Sequence, residues 1–279
     1  MTVKTRFLVL GATAKTGRRV TAQLQNLGHS VRAVSRSTTP SFDWTKPDTW
    51  DDVLRDIDAV YVTFQPDLAV PGSDQIIADF AARALRHGAK RLVMLSGRGE
   101  DAAQDAERTL RNSGADWTVL RANWFFQNFS EDLFLPYLQN GALALPAGDI
   151  PEPFVDADDI AECAVTALLE PTHIGKTYEL SGPDALTFEE ATAIIASSAN
   201  RDIAFVPITL DQLDAGLEQD GVPDDVRGLI RYLFSEVLDG RNKTPTGDVE
   251  QILGRKPKPL RTYANEAAQT GVWGTPDKS

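Results

Sequence analysis

The sequence predicts a doubly wound α/β fold, a parallel sheet with helices on both faces, followed by a smaller and mostly helical lobe. Three observations predict it. Short apolar runs alternate with amphipathic helical stripes from Phe7 to Leu120. A glycine-containing turn joins the first run to the first stripe. The rhythm breaks after Arg121, where aromatics and prolines crowd together.

Phe7-Leu8-Val9-Leu10 is an apolar run stopped by Gly11, the pattern of a buried strand. Val20, Leu24 and Leu27 form one stripe across Thr16–Leu27, and Gly28 ends that helix. Val31–Val34 is a second strand, so the chain opens with a βαβ unit. A short third strand is expected to end at Asp43-Trp44. Ala59–Phe64 is then a fourth strand, followed by a helix over Ser73–His87. Arg91–Leu95 is a fifth strand, Asp101–Asn112 a helix and Trp117–Leu120 a sixth strand. Right-handed crossovers turn this alternation into a doubly wound sheet. Pro136, Pro146, Pro151 and Pro153 mark an irregular stretch. Ala157–Leu169 is a helix with Asp158 and Asp159 suited to its first turn. Thr177–Leu180 returns a strand to the sheet. Thr187 and Glu190 stand in capping-box register. Ile203–Val206 is a strand, Leu210–Gln219 and Asp224–Leu238 are helices, and Val249–Ala268 is helical around a Gly254–Pro259 break. The expected domains are residues 1–155, with the sheet completed by 176–181, and a lobe over 182–279.

Composition narrows the function. The 279 residues carry 28 Lys+Arg against 40 Asp+Glu, a net charge of −12, which repels phosphate backbones and argues against nucleic-acid binding. Cys163 is the only cysteine, so no disulfide framework or cysteine zinc site forms within one chain. His29, His87 and His173 are too scattered to suggest a metal cluster. No apolar run approaches the roughly 18 residues of a membrane helix, and no secretory signal opens the chain. The expectation is a cytoplasmic protein, monomer or homodimer, acting on a small molecule.

Gly11-Ala12-Thr13-Ala14-Lys15-Thr16-Gly17 follows a strand and opens a helix, the context a dinucleotide fingerprint requires. Gly11 permits a tight turn and Gly17 close helix–strand packing, while amides at the helix start face a pyrophosphate. Ala14 stands where glycine is usual, and its methyl group narrows that approach. After the second strand, Val34-Ser35-Arg36-Ser37 lacks the acid that holds an NAD ribose. Arg36 instead suits a 2′-phosphate, which favours NADP(H) over NAD(H). Asp43 is placed to accept a hydrogen bond near the adenine. Trp44 either stacks there or packs against a helix. Phe64-Gln65 and Ser96-Gly97 end strands, where ligands of open α/β sheets lie.

These segments resemble the NmrA-like group of atypical short-chain dehydrogenases. Further segments that carry the resemblance are Gly88–Ser96, Ser113–Arg121, Phe154-Val155-Asp156 with Asp159-Ile160-Ala161, and Tyr178–Pro183. Phe42-Asp43-Trp44-Thr45, with Asp248-Val249-Glu250 and Leu253-Gly254-Arg255, is most similar to the subgroup of ergot alkaloid reductases of the festuclavine synthase type. The resemblance implies an NAD(P)-binding Rossmann domain and a small C-terminal lobe with a substrate cleft between them. It implies reduction of quinones, azo dyes, enals or iminium groups, or else a redox-sensing regulator that acts through a protein partner. By motif position it assigns cofactor contacts to Gly11, Thr13, Thr16, Gly17 and Arg36, with Gln65, Ser96 and Asn123 as looser matches.

The Tyr-x-x-x-Lys pair of typical short-chain dehydrogenases is missing. Residues four beyond Tyr61, Tyr137, Tyr178, Tyr232 and Tyr263 are Gln65, Gly141, Gly182, Glu236 and Ala267. Alcohol–ketone chemistry assisted by that pair is therefore disfavoured. An electron-poor acceptor needs less acid assistance, and positioning carries more of the hydride transfer. Asn123, Trp124, Phe125 and Gln127 are candidates for the substrate cleft, with core filling the competing role for Phe125 and Phe129. Tyr137 is the candidate proton donor, although a surface role suits it better.

Overall fold

The computed structural model describes residues 5–275. The chain begins with β1 (Arg6–Leu10), α1 (Lys15–Asn26), β2 (Ser30–Val34), α2 (Trp50–Leu54), β3 (Ala59–Val62) and α3 (Ser73–Arg86). It continues with β4 (Arg91–Gly97), α4 (Gln104–Arg111), β5 (Asp116–Ala122), α5 (Leu135–Gln139), β6 (Ala142–Leu145) and α6 (Ala157–Leu169). Then come β7 (Lys176–Leu180), α7 (Phe188–Ala199), β8 (Ala204–Pro207), α8 (Leu210–Gln219), α9 (Asp224–Tyr232), α10 (Asp248–Leu253) and α11 (Leu260–Gln269). No helix among the described residues is long and apolar enough to cross a membrane.

These elements form two compact units. The first comprises residues 1–122, 157–180 and 248–254, and the second 123–156, 181–247 and 255–279. The units interleave along the chain. Residues 123–156, expected in the first domain, cluster with the second unit because β6 pairs in parallel with β8.

The first unit holds a six-stranded parallel sheet in the order β2-β1-β3-β4-β5-β7. Phe7–Leu10 and Ala59–Val62 are buried throughout, as strands covered on both faces must be. The order reverses between β1 and β3, the switch point at which open α/β sheets take ligands. β7 completes the sheet beside β5, as the Thr177–Leu180 run predicts. The expected third strand at Asp43-Trp44 does not form. Phe42 and Trp44 are drawn into an aromatic cluster with Trp50 and Phe80, with ring centroids 4.9 to 6.1 Å apart, so the backbone turns instead of extending. Trp50 Nε1 donates to Asp43 O at 2.9 Å and pins that turn.

The second unit builds its core from Phe126, Phe129, Phe134, Phe154 and Phe188, with Trp273 closing it through an indole N–H donated to Phe129 O at 2.7 Å. Thr187 caps α7 in a complete capping box, as predicted. The helix expected over Asp224–Leu238 stays α-helical only to Tyr232 and then widens into one π-type turn, with Leu238 N donating to Leu233 O.

Glu107 is fully buried on the inner side of α4. It accepts from Ser96 Oγ at 2.8 Å, Arg111 Nη2 at 2.7 Å, and Arg121 Nε and Nη2 at 2.8 and 2.6 Å. Its lone pairs are satisfied by two guanidinium groups and a hydroxyl, the condition under which a buried carboxylate is tolerated. Replacing Glu107 with alanine removes the main partner of Arg121 and Arg111, which keep Glu179 and Thr177, and the unfolding free energy is expected to fall by about 3 kcal/mol. Urea denaturation measures this directly. A loss below about 1 kcal/mol would show that the cluster contributes little.

Candidate functional site

The loop between β1 and α1 is a tight turn built on two glycines. Gly11 adopts φ +63°, and a Cβ there would lie 2.6 Å from Thr63 Cγ2, so both conformation and space require glycine. Ala14 N donates to Gly11 O at 2.8 Å and closes the turn. A Cβ on Gly17 would fall 2.1 Å from Gly11 O. The first turn of α1 therefore rests directly on the end of β1. No side chain caps that turn and it holds no acidic residue. The positive end of a 12-residue helix is thus presented at the carboxyl edge of the sheet, an arrangement suited to a phosphate. Thr13 is exposed, Ala14 and Lys15 are half-buried, and Thr16 and Gly17 are buried.

Ala12 N donates to Val34 O at 3.0 Å and brings this turn beside the end of β2. There the chain folds over itself through Ser35 and Thr38, with Ser35 N donating to Thr38 Oγ1 at 2.8 Å. That turn projects Arg36 and Ser37 into solvent. Arg36 makes no ion pair among the described residues, so its guanidinium is available to a phosphate. No acid stands in Ser35–Pro40.

Asp43 turns its carboxylate onto its own loop, accepting from Thr45 N at 2.9 Å and Thr45 Oγ1 at 2.8 Å. These bonds, with Lys46 nearby, hold its pKa below the ordinary value. Of the two roles open to Trp44, the structure shows packing. It is buried, its Nε1 donates to Thr63 O at 3.1 Å, and its ring lies 4.9 Å from that of Phe64. Phe64 is buried by the same contact, while Gln65 beyond it is exposed.

At the end of β4, the Ser96 hydroxyl is occupied by Glu107. Gly97 underlies a residue the sequence reading missed. A Cβ at Gly97 would fall 1.8 Å from Glu100 Oε1, so the missing side chain creates the seat for the Glu100 carboxyl group. Glu100 Oε2 is buried without a hydrogen-bond partner. Burial holds the Glu100 pKa well above the ordinary value of 4.5, and Asp67 and then Glu107 add to the shift. A carboxyl group that holds its proton more tightly than an ordinary glutamate therefore stands at the carboxyl edge of the sheet, between the segments that follow β3 and β4. Its only signal in the sequence is an acid three residues after a strand-ending glycine, too common a pattern to single out.

The remaining candidates belong to the second unit. Asn123 is buried and donates from Nδ2 to Glu152 Oε2 at 2.7 Å. Gln127, expected to line a cleft, lies in the interior instead. Its Nε2 donates to Asp156 Oδ1 at 2.8 Å, because a buried amide must find a partner. Phe129 fills the core, whereas Phe125 is half-buried and its backbone bridges to Val155. Trp124 is half-buried, stacked near Phe134 and tilted 5.2 Å from Phe234. Tyr137 is 37% exposed and donates its hydroxyl to Asp220 Oδ2 at 3.1 Å. Burial, and then this bond to a carboxylate, push its pKa up. A tyrosine so placed gives up its proton less readily than a free one.

Comparison with known proteins agrees with this arrangement. An NAD(P)H-binding family matches residues 11–171, and the NmrA-like family matches residues 101–266. YesF, an uncharacterized oxidoreductase of Bacillus subtilis (strain 168), is 30% identical over 95% of this chain and 96% of its own. The NAD(P)H azoreductase of Xenophilus azovorans is 28% identical over 93% and 96%. Festuclavine synthases and agroclavine dehydrogenase, the subgroup that Phe42–Thr45 resembles, are also related to it. The crystal structure of the NADPH-dependent quinone oxidoreductase QOR2 of Escherichia coli, complexed with NADPH, shares the fold. Its TM-score is 0.79 at 19% identity, over 93% of this chain and 99% of that one. A nucleotide turn of this construction and matches over most of the chain agree that the protein belongs to the NmrA-like family of NAD(P)H-binding oxidoreductases.

Proposed function

We propose that the protein reduces a small, electron-poor conjugated molecule, a quinone, an azo compound, an enal or an iminium ion, with NADPH preferred over NADH. The observation that carries this reading is the uncapped, acid-free start of α1 held against Gly11 at the sheet's switch point, beside the exposed Arg36. The residues present fit a dinucleotide. Amides at the α1 start meet the pyrophosphate, and Arg36 meets a 2′-phosphate, assisted by the Ser37 hydroxyl. The bound nicotinamide supplies hydride.

Hydride turns an iminium ion into a neutral amine that needs no proton, whereas it leaves a quinone, an azo compound or an enal as an anion that also needs one. No tyrosine–lysine pair exists to give one, and the Tyr137 proton is committed to Asp220. Glu100 is the group suited to the task, because its carboxyl group stays protonated where an ordinary glutamate has lost its proton. Transfer from the Glu100 carboxyl to the reduced acceptor leaves a carboxylate, which takes a proton back from water. Relatives named for azo and quinone reduction support the acceptor class. A buried lone Cys163 suits a reducing cytoplasmic setting.

NADPH oxidation followed by absorbance, with one acceptor of each class, tests the activity. Absence of turnover in protein shown to bind NADPH would replace this reading with that of a cofactor sensor. Arg36→Ala is expected to weaken NADPH by roughly 10- to 150-fold, the range of a hydrogen bond to a charged group, and to leave NADH unchanged. Equal NADPH affinity in that variant would remove the case for a 2′-phosphate site.

Glu100→Gln cannot release a proton, and kcat is expected to fall about 100-fold with KM for NADPH unchanged. The folded-state pKa of Glu100 lies above its ordinary value, so its protonated form contributes stability that is complete below pH 4.5 and is lost as pH rises towards the folded pKa. The variant does not titrate there. Its melting temperature relative to the parent protein is therefore expected to rise with pH above 4.5. An unchanged kcat would exclude Glu100 as the proton source.

A further inference from the structure

The second unit contains a half-open cleft of about 330 Å³ lined by residues of α5, β6, α8, α9 and the π-type turn after it. Its walls are apolar and include Phe134, Leu145, Leu213, Ile230 and Phe234. Protein interiors leave few voids larger than a water molecule, whereas small-molecule sites begin near 300 Å³. The space is thus of ligand size, far beyond a packing defect.

Its polar side is electrically one-sided. Asp220 ends α8 and lines the cavity. Its carboxylate accepts from Tyr137 and joins no ion pair among the described residues. The negative end of the α8 dipole adds to the same potential. Six carboxylates and two guanidinium groups stand between Leu210 and Tyr232. Both guanidinium groups are engaged elsewhere, Arg227 by Asp214, Glu218 and Asp224, and Arg231 by Asp211. Phe134 and Phe234 contribute aromatic surface to the same wall.

We infer that this cavity is a binding site for an apolar organic cation of two or three fused rings, with its charge facing Asp220. The site lies wholly within the second unit, and the inference is independent of any reductase activity.

Fluorescence anisotropy titrations with 10-methylacridinium, a cation, and N-methylacridone, a neutral molecule of similar shape, test it without cofactor. The cation is expected to bind at least about tenfold more tightly than the neutral probe. Asp220→Asn, an exposed substitution, is expected to weaken the cation by about tenfold and to leave the neutral probe unchanged. Leu213→Trp fills the cavity and is expected to abolish binding of both. Equal affinity for the two probes, no saturable binding of either, or an undiminished cation affinity in Asp220→Asn would each overturn the inference. The Asp220→Asn comparison stands even if Leu213→Trp fails to fold.

Discussion

The candidate nucleotide site depends on the absence of a side chain at Gly17. A Cβ there would stand 2.1 Å from Gly11 O, a separation no packing adjustment relieves. Because the position is bare, α1 starts directly on the end of β1 and directs its N–H dipoles over the switch point of the sheet. The left-handed conformation of Gly11 and the bond from Ala14 N to Gly11 O serve the same contact. Ala14, where a glycine is usual, does not disturb it, since its own backbone closes the turn.

Two glutamates seven residues apart, Glu107 fully buried and Glu100 half-buried with its Oε2 enclosed, show how surroundings act on one chemical group. Glu107 is met by two guanidinium groups and a hydroxyl and ties them together. Glu100 is met by a glycine surface and by Asp67, and its pKa is raised above the ordinary value. One holds α4 to β4 and β5. The other sits at the carboxyl edge of the sheet, where the nucleotide turn also lies.

The second unit is a phenylalanine core carrying a ligand-sized cavity with a carboxylate at its edge. Trp124, flagged in the sequence as a substrate contact, packs against Phe134 and Phe234, which also form cavity walls. Its aromatic character thus serves the core behind that wall. Tyr137, flagged as a proton donor, is better described as a partner of Asp220 at the same cavity.

Local patterns were legible where a single segment determines its own conformation. The β1–turn–α1 unit, the capping box at Thr187, the α8 limits and the return of β7 to the sheet all follow from spacing and from stop residues. The missing acid after β2 was equally visible, since it concerns one loop. What only the tertiary structure decided is where distant residues meet. The turn at Phe42–Thr45 yields to an aromatic cluster assembled from Trp50, Phe64 and Phe80. β6 exists because β8, some 60 residues away, supplies its partner. The raised pKa of Glu100 comes from the burial of its carboxyl group and from Asp67, with Gly97 leaving it room. Hydrophobic periodicity encodes which face of an element is covered. It does not encode which other element covers it, and that pairing decides burial, charge state and the shape of a cavity.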